Sequence, residues 1–239
     1  MNTVKINKGT TLMVAHRGVS GLERENTAAA FVAAGNRSYY GVETDIHRTY
    51  DGKFIISHDG NTARTSSGLR CEIEKTSYDV LRSIPLTDTD GRPRADLCLP
   101  SLEEYVRICA RYEKVCVLEI KSSLSEEDTQ NMIDIITAEN YLHNVIFISF
   151  GYENLVKVKN ILPDQPAQYL CGELDDAMLE RLVNDKIDID INHPHVNKEF
   201  VDKAHAMGLK INCWTVDNPE RAQALVEMGV DFITTNILE

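Results

Sequence analysis

The sequence predicts an α/β protein built as a (β/α)8 TIM barrel. Eight short apolar, β-branched runs alternate with amphipathic segments along the chain. Most successive runs begin about 22 residues apart, room for one strand, one short loop and one helix. No Gly-x-Gly-x-x-Gly follows any run, which argues against an open, doubly wound sheet. The length of 239 residues suits a single barrel.

The runs fall at residues 12–16, 42–46, 115–120, 145–150, 167–171, 187–191, 209–214 and 231–235. Strands at this spacing run parallel and return through right-handed crossovers. Helix signals fill the gaps. Asn26 stands where it can cap a helix over 27–34, with Gly35 just past its end. Ser101 with Glu104 opens 102–112 as a capping box, and Ser125 with Asp128 opens 126–139. Asp217 or Asn218, followed by Pro219, opens 220–228, which Gly229 stops.

One region breaks the rhythm. About 55 residues separate Ile46 from Ser101, far more than a βα loop needs. The segment starts with Asp51-Gly52, a hairpin-turn pair, leading into a short strand at 54–57. If those two residues form the whole turn, Tyr50 pairs with Lys53 and His58 falls opposite Asp45. A helix is expected at 77–83. We read 47–98 as an insertion after the second strand of one domain, 1–239, placed at one end of the barrel.

Composition narrows the function classes. Apolar residues at 43% and charged residues at 26% describe a soluble globular chain and exclude disordered and fibrous classes. A net charge of −12 disfavours nucleic acid and anionic membrane surfaces as partners. An anionic small molecule stays compatible, because local cations or a metal reverse the field within one cleft. The polar first eleven residues lack the apolar core of a signal peptide, and no run of about 18 apolar residues follows, so stable membrane insertion is not expected. Six scattered cysteines without a Cys-x-x-Cys pair suit a reduced, cytoplasmic protein.

Barrel enzymes carry their chemistry where strands end. The first strand ends in Ala15-His16-Arg17-Gly18, and the second contains Glu43-Thr44-Asp45. Alternation along a strand sends Glu43 and Asp45 to one face. The third barrel strand repeats the pattern with Glu119-Ile120-Lys121. Inward carboxylates repel one another, and a divalent cation relieves that repulsion. An all-oxygen set selects Mg2+ or Ca2+ over zinc. His16 and His58 beside such a cation, with Arg17 and Lys121, suggest phosphoryl chemistry. The cations would hold a phosphodiester while the imidazoles move protons. His47, His143, His193, His195 and His205 have no motif partner, though His193-Pro194-His195 follows a strand end. Glu25 and Asn26 are expected to be loop and cap residues.

These residues fall in an ordered set of motifs: His16-Arg17-Gly18, Glu25-Asn26-Thr27, Gly41-Val42-Glu43-Thr44-Asp45, Asp51-Gly52, His58-Asp59, Leu99-Pro100-Ser101-Leu102, Glu119-Ile120-Lys121 and Trp214-Thr215-Val216. As a set, running from His16 to Thr235, it resembles the glycerophosphodiester phosphodiesterase family. The resemblance implies metal-dependent hydrolysis of a small glycerophosphodiester to sn-glycerol 3-phosphate and an alcohol. It makes His16 and His58 the acid–base pair and Glu43, Asp45 and Glu119 the metal ligands. Arg17 and Lys121 would face the phosphate, and Trp214 would line the pocket. Attack is by an internal glycerol hydroxyl through a cyclic phosphate, or by water.

Two positions depart from the family pattern. Arg24 stands where the family usually has proline, adding a cation near the mouth, and Thr235-Asn236-Ile237-Leu238 replaces the usual Thr-Asp-x-Pro. Two other functions compete. A lysophospholipase D-type phosphodiesterase needs an apolar groove for an acyl chain. A non-catalytic phosphodiester-binding barrel would lack one of the two histidines or a carboxylate, and all five are present.

Overall fold

The computed structural model describes residues 2–239 and contains the expected closed barrel. In chain order the strands are β1 (Leu12–Ala15), β2 (Gly41–Arg48), β3 (Phe54–Ile56), β4 (Val115–Ile120), β5 (Val145–Ser149), β6 (Ala167–Cys171), β7 (Asp188–Asn192), β8 (Ile211–Trp214) and β9 (Phe232–Thr235). All but β3 run parallel, and β1 pairs with both β2 and β9, so the sheet closes on itself. The helices are α1 (Ala28–Gly35), α2 (Tyr78–Arg82), α3 (Leu102–Arg111), α4 (Glu126–Ala138), α5 (Tyr152–Ile161), α6 (Asp176–Asp185), α7 (Lys198–Ala206) and α8 (Pro219–Met228). Among the described residues, no helix is long and apolar enough to cross a membrane.

Alternation along the strands builds two apolar layers. On β4, Cys116, Leu118 and Ile120 belong to the main core against the helices. Val117 joins Val14, Ile146, Ile148, Leu170 and Phe232 in a smaller cluster inside the barrel. The inner layer is apolar below and carboxylate-rich above, because Glu43 and Asp45 on β2 and Glu119 on β4 take inward positions above the apolar cluster.

The capping boxes at Ser101 and Ser125 form as expected, and Asn218 caps α8 with Pro219 as its first residue. At α1 the cap is Thr27, whose hydroxyl accepts from Ala30 N, and not Asn26. Asn26 instead has a left-handed backbone (φ 54) that turns its side chain toward β2.

The insertion packs a separate cluster of Ile55, Ile73, Leu81, Ile84, Leu86, Leu97 and Leu99 beside α1. Its hairpin differs from the two-residue expectation. β2 and β3 pair as Ile46↔Ile56 and Arg48↔Phe54, one residue off the expected register. Thr49 N donates to Lys53 O (2.8 Å) and Gly52 N to Thr49 O (3.0 Å), enclosing a three-residue loop of Tyr50, Asp51 and Gly52. Gly52 sits at φ 77, the left-handed position that ends such a loop with one extra residue. Ser57, not His58, therefore faces Asp45 across the hairpin, its N–H donating to Asp45 O (3.0 Å). His58 comes just beyond the ladder and still reaches the barrel mouth.

Candidate active site

Strand register assembles the carboxylates. Asp45 on β2 is the direct neighbour of Glu119 on β4, and Glu43 lies two residues below Asp45 on the same face. One oxygen from each lies within 4.8 Å of the others, and all three residues are buried. Lys121 Nζ lies 2.9 Å from Glu119 Oε1 and 3.4 Å from Asp45 Oδ1, while Arg17 Nε lies 3.5 Å from Asp45 Oδ2. Asn26 Nδ2 donates to Asp45 Oδ2 (2.7 Å), and Thr44 Oγ1 holds Asn26 by donating to its Oδ1 (2.7 Å).

These contacts divide the three acids. Burial, then Asp45 and Glu119, push Glu43 well above the usual carboxylate range. Burial and Asp45 raise Glu119 to about 7, against the opposing pull of Lys121. Burial also pushes on Asp45, but Lys121, Arg17 and His58 outweigh it and hold that carboxyl low. Asp45 Oδ1, fully buried, has no hydrogen-bond partner among the described residues, only the 3.4 Å ion pair with Lys121. A hard-oxygen set with an orphaned ligand atom and acids that resist ionising together fits a divalent cation.

The His-Arg-Gly motif is a sharp turn off the end of β1. Arg17 (φ 52) and Gly18 (φ 76) both take left-handed backbone. The turn aims Arg17 N–H at Glu43 Oε2 (2.7 Å). A Cβ on Gly18 would meet Ala30 at 2.6 Å, so both conformation and space demand glycine there.

The two histidines have different partners. His16 Nδ1 lies 2.7 Å from Asn236 Oδ1, and Ser20 Oγ donates to the same oxygen (2.6 Å). Asn236 Nδ2 donates to Asp217 Oδ2 (2.6 Å), which orients the amide and assigns the proton of His16 to Nδ1. Nε2 is then a bare acceptor, 4.0 Å from Glu43 Oε2. Burial, then the Arg17 charge, lower His16 to about 4. His58 Nδ1 instead faces a carboxylate, Asp59 Oδ1, at 2.8 Å. Arg64 hydrogen bonds, helped by His58, draw Asp59 down to about 2 against burial. Arg64 also bonds Glu25, whose Oε1 accepts from Arg17 Nη1 (2.9 Å). An alternating chain of charges thus links the insertion to Arg17.

His16, Arg17, Glu43, His58, Glu119, Lys121 and Trp214 line one cleft, and Asp45 lies against them. The eight residues singled out by sequence therefore meet at one place. Trp214 packs edge-on to Phe150 (5.6 Å between centroids) and donates from Nε1 to Asp190 O (3.1 Å). Arg24 does not add a free cation at the mouth. It donates to Thr87 O (2.5 Å), Thr87 Oγ1 (3.1 Å) and Asp88 O, pinning the insertion to the β1–α1 loop. His193 is bonded by Arg221 and does not line the cleft. Sequence reasoning missed Asn26, Arg64, Asp190 and Asn236 as site residues. Asn26 carried a signal as a member of the Glu25-Asn26-Thr27 motif and Asn236 as a departure at a strand end, whereas Arg64 and Asp190 carried none.

A model of the glycerophosphoryl diester phosphodiesterase family matches residues 16–239. A glycerophosphodiester phosphodiesterase of Caldanaerobacter subterraneus is 28% identical over 233 residues, covering 95% of this chain and 94% of its own. One from Bacillus subtilis is 27% identical over 250 residues, 94% of this chain and 83% of that one. Among solved structures, a glycerophosphodiester phosphodiesterase from Parabacteroides distasonis superposes with a TM-score of 0.79 at 25% identity, covering 95% and 93% of the two chains. A phosphodiesterase from Oleispira antarctica, solved with the product sn-glycerol-3-phosphate, shares the fold (TM-score 0.85, 24% identity, 97% and 95% covered). With the family match spanning the barrel from His16 onward, the chain belongs to the glycerophosphoryl diester phosphodiesterase family and is a phosphodiester-hydrolysing enzyme.

Proposed function

We propose that the protein hydrolyses small glycerophosphodiesters to sn-glycerol 3-phosphate and an alcohol, using a divalent cation, Mg2+ or Ca2+, and the pair His16 and His58. The observation that carries this reading is the placement of two differently partnered imidazoles over one buried carboxylate cluster. Glu43, Asp45 and Glu119 would hold the cation, which when bound offsets charge on the phosphodiester and its transition state. Arg17 and Lys121 bind the phosphate oxygens and are themselves oriented by Glu25, Asp45 and Glu119.

His16, neutral and bare at Nε2, accepts the proton of the attacking oxygen, either that of water or that of the neighbouring glycerol hydroxyl. In the second case a water then opens the cyclic phosphate to sn-glycerol 3-phosphate. His58, its Nδ1 held by the Asp59 carboxylate, presents its other ring nitrogen to the cleft and gives a proton to the leaving oxygen. The phosphodiester needs both acts, since it expels an alkoxide that water at neutral pH protonates poorly. Trp214 and Phe150 wall the side of the cleft where the organic groups lie. The 47–98 insertion works with the barrel as one unit, delivering His58 and tied down by Arg24 and Arg64. Six free cysteines, four of them buried, support a reducing, cytoplasmic setting.

A substrate comparison tests the reaction class. With Mg2+ present, glycerophosphocholine should be turned over and should release sn-glycerol 3-phosphate. That monoester, offered as a substrate, should release little inorganic phosphate. Preferential hydrolysis of the monoester would overturn the assignment.

A further inference from the structure

We propose that Asp190 is a substrate-binding residue, taking a hydroxyl group of the glycerol part of the substrate; the inference rests on the glycerophosphodiester reading above. Asp190 lies on β7 between Ile189 and Ile191, which both belong to the outer core against the helices. Its side chain therefore faces the barrel interior, and it lines the same cleft as His16, His58 and Glu119. It is 1% exposed, yet its Oδ1 has no hydrogen-bond partner. A buried carboxyl without a partner is costly, so the missing partner points to a ligand.

The protein does not satisfy Asp190 from its neighbours. In register it lies beside Leu170 on β6 and Asn212 on β8. Leu170 offers nothing polar. Asn212 turns its amide to Gln168 Oε1 (3.1 Å), and its carbonyl accepts from Thr234 Oγ1 (3.1 Å). The inward polar groups of β6, β8 and β9 thus pair among themselves and leave β7 out. Trp214 Nε1 holds the Asp190 backbone carbonyl, fixing the residue's place without touching the carboxyl.

The surroundings select the ligand chemistry. Among the described residues no cation is paired with Asp190; burial, then the nearby Glu119 charge, favours its neutral form. A neutral carboxyl offers one O–H donor and an acceptor, the complement of an alcohol. It is a poor match for a phosphate oxygen cluster, which Arg17 and Lys121 serve instead. Ile148, Leu170 and Trp214 line the cleft beside it and suit the carbon backbone of a small polyol.

The test is direct binding to the Mg2+-loaded full-length protein by titration calorimetry. The probes are sn-glycerol 3-phosphate and propyl phosphate, monoesters of equal chain length with and without hydroxyls. The native protein should prefer sn-glycerol 3-phosphate by about tenfold or more. Asp190→Ala should erase most of that preference and leave propyl phosphate within about twofold. Asp190→Asn, neutral and still a donor and acceptor, should retain most of it. No preference in the native protein, or equal loss of both ligands in Asp190→Ala, would overturn the assignment of Asp190 alone. An Asn variant as defective as Ala would overturn the neutral donor-and-acceptor form of this contact. Failure of the native protein to bind either monoester would overturn the phosphodiester reading itself.

Discussion

His16→Ala should lower kcat by about 10²–10⁴-fold, the usual worth of a positioned acid–base group. The measurement is initial-rate release of sn-glycerol 3-phosphate from glycerophosphocholine at saturating Mg2+, with the melting temperature followed in parallel. The loss should appear in kcat and not as unfolding, because the imidazole hydrogen-bonds one side chain and leaves the strand ladder intact. The same defect should follow in reduced form from Asn236→Ala, which removes the acceptor that keeps the proton on Nδ1. Its signature is spectroscopic. In native protein, 15N shifts of His16 should report the Nδ1–H tautomer, and in the variant they should move toward a mixture. Asp217 is bonded to Asn236 and Thr235 and not to His16, so an Asp217→Asn variant should reach His16 through the Asn236 amide. Near-native turnover in His16→Ala would make the residue structural.

Glu119→Gln should weaken cation binding at least tenfold, since one of three charged ligands is lost while its shape is kept. The native site also ties cation binding to pH. Without a cation, Glu119 ionises near 7, against 4.5 when unfolded, because it is buried beside Asp45. A carboxyl raised on folding stabilises the folded state below its unfolded value, and that contribution fades as pH rises through 7. The cation competes with the same proton. The rise in melting temperature on adding Mg2+ should therefore be small at pH 5.5 and largest above about pH 7.5. At a hundredfold excess over Kd the stabilisation is about 2.7 kcal/mol. For a chain of this size that is roughly 5–10 °C. A shift that shrinks with rising pH, or one unchanged by Glu119→Gln, would remove this cluster as the cation site.

Much of this was legible in sequence because period-2 and period-22 patterns carry the information. Strand spacing implied the barrel, and the i, i+2 placement of Glu43 with Asp45 and of Glu119 with Lys121 implied inward charge. Pairing across strands is less legible. The hairpin turned on whether Gly52 closes a two-residue or a three-residue loop, and Asp51-Gly52 serves both geometries. Asn26 looked like a cap because asparagine favours caps, yet a left-handed backbone there passes the cap to Thr27 and frees the amide for Asp45. Arg24 read as a free cation, since nothing local reveals that Thr87 and Asp88 fold back 63 and 64 residues later to accept from it. Asp190 was hidden for the same reason. In Ile187-Asp188-Ile189-Asp190-Ile191 the two acids alternate alike, and only barrel closure decides which one reaches the cleft.

Diester hydrolysis at this carboxylate cluster should require a divalent cation, and the cation requirement is the property on which the proposed function stands. It is tested most directly by following sn-glycerol 3-phosphate release from glycerophosphocholine before and after chelation. Turnover should vanish with excess chelator and return when Mg2+ or Ca2+ is restored. Full turnover in excess chelator would contradict the account.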